Sequence, residues 1–115
     1  MAVLINKKII LVNSTKNAQM QIQHEEKEDG KGLFFIIDGN KNLAEMTYTI
    51  ANQDLLIIQH TEVDDVLKGK NVGYQLVHAG VDYARTNGFK IFPLCPFAKA
   101  VFDKKGDEFA DVLRK

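Results

Sequence analysis

The sequence predicts a mixed α+β fold: a mostly antiparallel sheet backed by one central helix, with a short helix near the C-terminus. Three observations carry that reading. Apolar runs of strand length alternate with turn residues from Leu33 to Val63, an apolar stripe at helical spacing runs from Val72 to Ala84, and a short strand followed by a helical segment comes after Gly88. No internal repeat, low-complexity tract or linker divides the chain, so a single domain over residues 1–115 is expected.

Taken in order, Ile9-Ile10-Leu11-Val12 is a compact apolar run closed by Asn13-Ser14-Thr15, which reads as a short strand and a turn. Gln19 to Gln23 alternates polar residues with Met20 and Ile22. Charge and glycine then dominate His24 to Gly32, where a solvated turn or loose loop is expected. Leu33-Phe34-Phe35-Ile36-Ile37 is a strand, and Asp38 to Asn42 supplies turn residues for a hairpin into Leu43–Ile50. In that second strand Leu43, Glu45, Thr47 and Thr49 alternate with Ala44, Met46, Tyr48 and Ile50, giving one core face and one wet face. Ala51 to Asp54 turns the chain again. The strand that follows, Leu55 to Val63, begins apolar throughout and becomes polar at Gln59-His60, so its far end is expected to leave the core and enter a cleft.

The central helix should run from about Gly73 to Asn87. Val72, Leu76, Gly80 and Ala84, flanked by Val77, Val81 and Tyr83, form its apolar stripe, and Gln75, Asp82 and Arg85 fall away from it. Gly88 is a natural left-handed stop. Lys90 to Leu94 reads as a short strand in which Pro93, lacking an N–H, must sit at a strand end or an edge. A last helical segment starts at Pro96 and carries Phe97, Val101 and Phe102, with Gly106 interrupting it before Asp107–Leu113.

Composition bounds the function. Fifteen basic and fifteen acidic residues cancel to a formal net charge of zero, so no global field draws the protein to nucleic acid or an anionic membrane, and any anion site must be local. The single cysteine excludes an intramolecular disulfide framework and a cysteine-rich zinc site and fits a reducing compartment, the cytoplasm by default. The apolar patch between Met1 and Val12 is broken by Asn6, Lys7 and Lys8 and is too short for a secretory or membrane-spanning segment. His24 and His78 form no metal-binding spacing with His60, and no metal is expected.

The local anion site lies between the third strand and the central helix. A glycine-bearing loop that opens a helix presents N–H groups without intrahelical partners at the positive end of the helix dipole, and phosphate is the obvious anion to dock there. The N–H groups of Lys70, Val72, Gly73 and Tyr74 would converge on it, Gly69 and Gly73 would let the ligand approach the backbone, and Asn71 tolerates the left-handed conformation that glycine would otherwise supply. Lys68 and Lys70 add charge without the bidentate fork of arginine. An ordinary surface turn that caps a helix is the plain alternative for the same residues.

Two further positions carry chemistry. Cys95 directly precedes Pro96 at the predicted helix start, where the dipole favours the thiolate; the plain alternative is a buried small hydrophobe. His60 is the side chain suited to acid–base work near neutrality, with Glu62 two residues on along the strand to orient it, and a satisfied strand-end histidine is the plain alternative.

Lys68-Gly69-Lys70-Asn71-Val72-Gly73 resembles the arginine-glycine-x-glycine-x-glycine/alanine loop by which GNAT acyltransferases hold the pyrophosphate of coenzyme A, with Lys68 in place of the usual arginine and Asn71 in place of a glycine. With His60-Thr61-Glu62-Val63 before it and Leu94-Cys95-Pro96-Phe97-Ala98 after it, the stretch from Gly32 to Phe102 is similar to the small single-domain GNAT-like N-acetyltransferases. The resemblance implies a GNAT-like fold and transfer of an acetyl group from acetyl-CoA to an amine on a small molecule or peptide. It also implies that the backbone of Thr61 and Val63, together with residues 68–74, holds the cofactor. In that family the matching cysteine lies close to the acyl group, so Cys95 would carry the acetyl transiently or line its pocket. Many GNAT enzymes protonate the departing thiolate with a tyrosine in the last helix, whereas no tyrosine follows Tyr83 here. Two other readings stay open: a coenzyme A-binding module with little catalysis, and a small interaction domain that binds no nucleotide.

Overall fold

A computed structural model of the protein describes residues 8–11 and 21–114. The strands β1 (Lys8–Leu11), β2 (Gln23–Glu26), β3 (Lys31–Asp38), β4 (Lys41–Ala51), β5 (Leu55–Val63) and β6 (Lys90–Pro93) form one sheet whose spatial order is the sequence order. Neighbours are antiparallel up to β5, and β5 and β6 are parallel. A parallel pair needs a crossover, which helix α1 (Val72–Asn87) supplies. Helices α2 (Pro96–Lys104) and α3 (Gly106–Phe109) follow β6.

The core lies between α1 and one face of the sheet. Leu76, Val77, Val81 and Ala84 of α1 are buried against Phe34, Ile36, Met46, Leu56, Ile58 and Ile91, which project from β3 to β6. Each fully buried aliphatic side chain contributes roughly 1.5–3 kcal/mol, so this seam fixes where α1 begins and ends. Gly80 sits where an added Cβ would meet Met46 Cε at 3.0 Å, which lets α1 lie close to the sheet. Gly88 stops α1 at φ 76, as predicted.

The hairpin strands and α1 match the sequence expectation closely, and the first strand is placed at one edge of the sheet, beside β2. The turn expected at Asn13–Thr15, the start of the alternation at Gln19–Met20 and the apolar patch before Lys8 lie outside the described residues. The segment His24 to Gly32 differs from the expected loose loop: it holds most of β2, a 3₁₀ turn at Glu28–Gly30 and the start of β3. Its one inward side chain explains the difference. His24 is 1% exposed, stacks on Phe34 with ring centroids 4.2 Å apart, and shares a hydrogen bond with the Tyr48 hydroxyl. Tyr83 of α1 packs edge-on to His24 and donates to Glu26 Oε2 at 2.9 Å. Room for Tyr48 comes from Gly32, where a Cβ would lie 2.4 Å from its hydroxyl oxygen. Burial and then Tyr83 hold the Tyr48 phenol protonated well above its ordinary range.

In the C-terminal third the break expected at Gly106 is present: α2 ends at Lys104 and Gly106 opens a separate helix, α3, where Phe109 is fully buried. The last strand ends at Pro93 and leaves out Leu94. The end of the chain is tied back by Arg85, whose guanidinium donates to both carboxylate oxygens of Asp111 at 2.8 and 2.9 Å.

Candidate functional site

A one-residue slip in the pairing of β4 and β5 sets up the site. Thr47 faces His60 while Tyr48 faces Ile58, so Gln59 is an extra residue on β5. The slip changes the phase of the strand. Before it, Leu56 and Ile58 point into the core; after it, Thr61 and Val63 share a face with Met46 and Ala44, and His60 and Glu62 project from the opposite face of the sheet.

Beyond Ile58, β5 loses its neighbour on the far side. The parallel ladder covers only Leu55–Ile58 against Lys90–Pro93, after which the Leu94 and Cys95 N–H groups both donate to Ile58 O at 3.1 Å. The N–H of Asp64 donates to Leu43 O of β4 at 2.8 Å. By strand alternation, the N–H and C=O of Thr61 and Val63 therefore point away from β4, toward the gap that β6 leaves open. Cys95 lies at the head of that gap, 6% exposed, and its thiol donates to Thr61 Oγ1 at 3.5 Å. No basic side chain among the described residues contacts the sulfur.

The loop after β5 is built to display amides. Asp64 Oδ1 accepts from Val66 N–H at 2.9 Å and starts a 3₁₀ turn, Asp65–Leu67, which the buried Leu67 anchors. Gly69 at φ 82 and Asn71 at φ 62 are both left-handed, so the backbone doubles back into a concave turn before α1 begins. Asn71 thus takes the conformation expected of it in place of a glycine. Of the four amides predicted to converge on phosphate, that of Lys70 is committed to Leu67 O at 3.2 Å. Those of Val72, Gly73 and Tyr74 have no acceptor among the described residues, and neither do those of Gly69 and Asn71.

The gap and the loop open onto one groove of about 700 Å³. Thr61 and Val63 form its β5 wall, residues 67–69 and 71–74 its floor, and Phe97, Val101, Lys104 and Lys105 of α2 and its end the opposite wall. Nearly every residue singled out for cofactor binding in the sequence lines it; Lys70 does not. Lys68 lines it and pairs with Asp65 at 3.0 Å. Tyr74 donates to Glu108 Oε2 at 2.7 Å, which holds its phenol protonated above the ordinary range, and its ring carries the Lys105 ammonium 4.9 Å from the centroid. The sequence reading missed the α2 wall. Its signal was there in the spacing of Phe97, Val101 and Lys104–Lys105, one turn apart on one helix face.

Gly73 is buried for a different reason from the one expected. A Cβ on it would lie 2.1 Å from Phe97 Cζ, so the glycine makes room for an aromatic ring that is itself 42% exposed at the groove. Around Gly69 a Cβ would meet nothing within 4 Å, and the need there is for positive φ.

His60 and Glu62 do not line this groove. They lie close to each other, Nε2 to Oε2 3.4 Å, and both are exposed on the opposite face of β5. Glu62 there borders a second hollow of about 520 Å³ with Asn42–Glu45 and Val63–Asp65, whose other carboxylates have local partners: Asn42 donates to Glu45 and Lys41 pairs with Asp64. Among the described residues no three potential ligands form a metal cluster, and no helix is long and apolar enough to cross a membrane.

Residues 33–112 match the family model of GCN5-related N-acetyl-transferases. Among solved structures, a GCN5-like protein from Staphylococcus aureus, determined by NMR, is 37% identical; the match covers 84% of this chain and 90% of that one, with a TM-score of 0.64. An aminoglycoside acetyltransferase from an uncultured soil metagenomic sample, solved with trehalose, is 17% identical over 76% of this chain and 62% of that one, with a TM-score of 0.56, a likeness of fold alone. No curated protein sequence matches significantly.

Proposed function

The chain belongs to the GCN5-related N-acetyltransferases, and from that premise we propose that it transfers an acetyl group from acetyl-CoA to an amine. The observation that carries the proposal is one groove that joins unbonded amides at the start of α1 to Thr61, whose hydroxyl meets the buried Cys95 thiol from behind. The residues present suit coenzyme A. The N–H groups of Asn71, Val72, Gly73 and Tyr74 offer donors for a diphosphate at a positive helix end, with Lys68 beside them. The open edge of β5 at Thr61 and Val63 offers one donor and one acceptor at each residue to the amide-bearing pantetheine arm, in the manner of an added strand.

When bound, acetyl-CoA supplies a thioester whose carbonyl carbon is open to attack by an amine. The groove would place that carbon near Cys95 and Thr61, where the strands part, and the amine would come from the opposite face of β5. His60 projects on that face and is assigned the proton leaving the amine, with Glu62 turned toward its ring. Cys95 lies behind Thr61 at the acyl end. Its sulfur is buried, points at a hydroxyl and touches no base among the described residues, which favours direct attack by the amine over a carrier cysteine.

The test is calorimetry with acetyl-CoA followed by an N-acetylation assay on a panel of small amines and peptides. Binding with turnover supports the proposal. Binding without turnover on any amine points to a coenzyme A-binding module, and no binding at millimolar acetyl-CoA removes the groove from the function.

A further inference from the structure

We propose that Lys104 and Lys105 form a second anion site, for the 3′-phosphate of coenzyme A, and so make the protein discriminate coenzyme A from its 3′-dephospho form. The inference rests on the acetyl-CoA reading above and adds a specificity to it. Both lysines line the groove at the end of α2 remote from Cys95, while Phe97 lines it near the start of the same helix. Eight residues separate Phe97 from Lys105, about 12 Å along a helix, so the α2 wall runs from an aromatic and aliphatic end to a cationic one. Phe97 packs on Gly73, within the amide turn proposed for the diphosphate, and the two lysines follow at the far end of the same helix.

Their electrostatic state is the second observation. Lys68 is paired with Asp65 and Lys99 with Asp103, whereas Lys104 and Lys105 enter no ion pair with another described residue. Lys105 is instead held over the Tyr74 ring, and Tyr74 is held by Glu108, so an unneutralised ammonium is kept beside the first turn of α1. The diphosphate is served by the amides of that turn, which leaves these two cations for the additional phosphate that distinguishes coenzyme A. The plain alternative is that they only offset the negative end of the α2 dipole, in which case they affect stability and bind no phosphate.

The experiment is titration calorimetry of coenzyme A and 3′-dephospho-coenzyme A against the full chain and against Lys104→Met/Lys105→Met, which keeps apolar stems packed on Tyr74. Thermal unfolding of both proteins checks that the fold is retained, and Lys99→Met, off the groove, serves as the charge control. The wild-type chain should bind coenzyme A about tenfold or more tightly than the dephospho form, since a charge-assisted contact is worth that much. The double variant should lose this preference while its affinity for dephospho-coenzyme A stays within about twofold, as expected when the deleted contact is to the missing phosphate alone. A variant that weakens both ligands equally, or keeps the preference, overturns the proposal, as does a wild-type chain that binds both ligands alike. A wild-type chain that binds neither overturns the acetyl-CoA reading, and this one with it.

Discussion

Replacing Gly73 by alanine tests how the groove is kept open. The new Cβ would sit 2.1 Å from Cζ and 2.3 Å from Cε1 of Phe97. Carbon atoms rest about 3.5–4.0 Å apart, so the ring must retreat by roughly 1.5 Å or more. Phe97 lines the groove on its other side, so the retreat is into the space proposed for the cofactor. The cost to stability is small. Phe97 is 42% exposed already, and giving up its remaining burial costs about 1–2 kcal/mol. A helical Gly→Ala change returns about 0.5–1 kcal/mol. The net is roughly 0–1.5 kcal/mol, a fall in Tm of at most about ten degrees. Acetyl-CoA affinity, read by calorimetry, should fall about tenfold or more, because a methyl-driven ring now occupies ligand space. The double variant Gly73→Ala/Phe97→Ala removes the ring and should recover most of that loss. Wild-type affinity in Gly73→Ala would refute the placement of the ring. A double variant as weak as the single one would refute the ring as intermediary and return the role to ligand approach at residue 73 itself.

Three other outcomes follow from the same geometry. Cys95→Ala should keep most of the turnover, and the wild-type protein should show no added acetyl mass at Cys95 after incubation with acetyl-CoA; loss of turnover in the variant, or an acetylated wild-type Cys95, would restore the carrier mechanism. Tyr48→Phe deletes a hydroxyl that partners buried His24 beneath α1, and should lower stability by about 1–3 kcal/mol in denaturant unfolding while leaving cofactor affinity unchanged. Hydrogen bonds from Arg85 hold the Asp111 carboxyl below its ordinary value of 3.8. A carboxyl lowered on folding adds stability that is present above the unfolded value and lost as pH falls through the folded one. Arg85→Ala should therefore reduce stability at neutral pH and flatten its decline below about pH 4, and an unchanged acid limb would refute the coupling.

Much of the fold was legible because long apolar periods have only one reading. Val72, Leu76, Gly80 and Ala84 mark a helix whatever surrounds them, and Leu43 to Ile50 marks a strand with two unlike faces. His24 to Gly32 was not legible, since a single inward residue leaves no period to see. A buried histidine becomes tolerable only through Tyr48, Phe34 and Tyr83, which are distant in sequence. The left-handed Asn71 was read from residue chemistry, whereas Gly69 was read as allowing ligand approach and is required instead for its φ of 82. The side of β5 on which His60 falls was hidden, because an extra residue at Gln59 inverts the phase and leaves no mark in composition. The α2 wall was hidden too, since Lys104 and Lys105 become neighbours of Tyr74 only when α2 folds back on α1.

The opening of the groove traces to one residue type. In a parallel ladder the next pair after Ile58 and Pro93 would cover Gln59 and the residues beyond it. Pro93 has no N–H with which to carry the ladder on, and the chain turns tightly about it, the Leu94 N–H reaching Phe92 O at 3.0 Å as well as Ile58 O. The Cys95 N–H is drawn to the same Ile58 oxygen, and Pro96 then takes the first position of α2, where a missing N–H costs nothing. β6 therefore stops four residues in, and α2 departs beside a β5 edge whose backbone groups at Thr61 and Val63 have lost their partner strand. An unpaired strand edge invites pairing with whatever extended amide-bearing chain can reach it. Here it borders a groove that also carries bare amides and, among the described residues, two lysines without an ion-pair partner, the walls that the acetyl-CoA proposal assigns to a long ligand with an anionic tail.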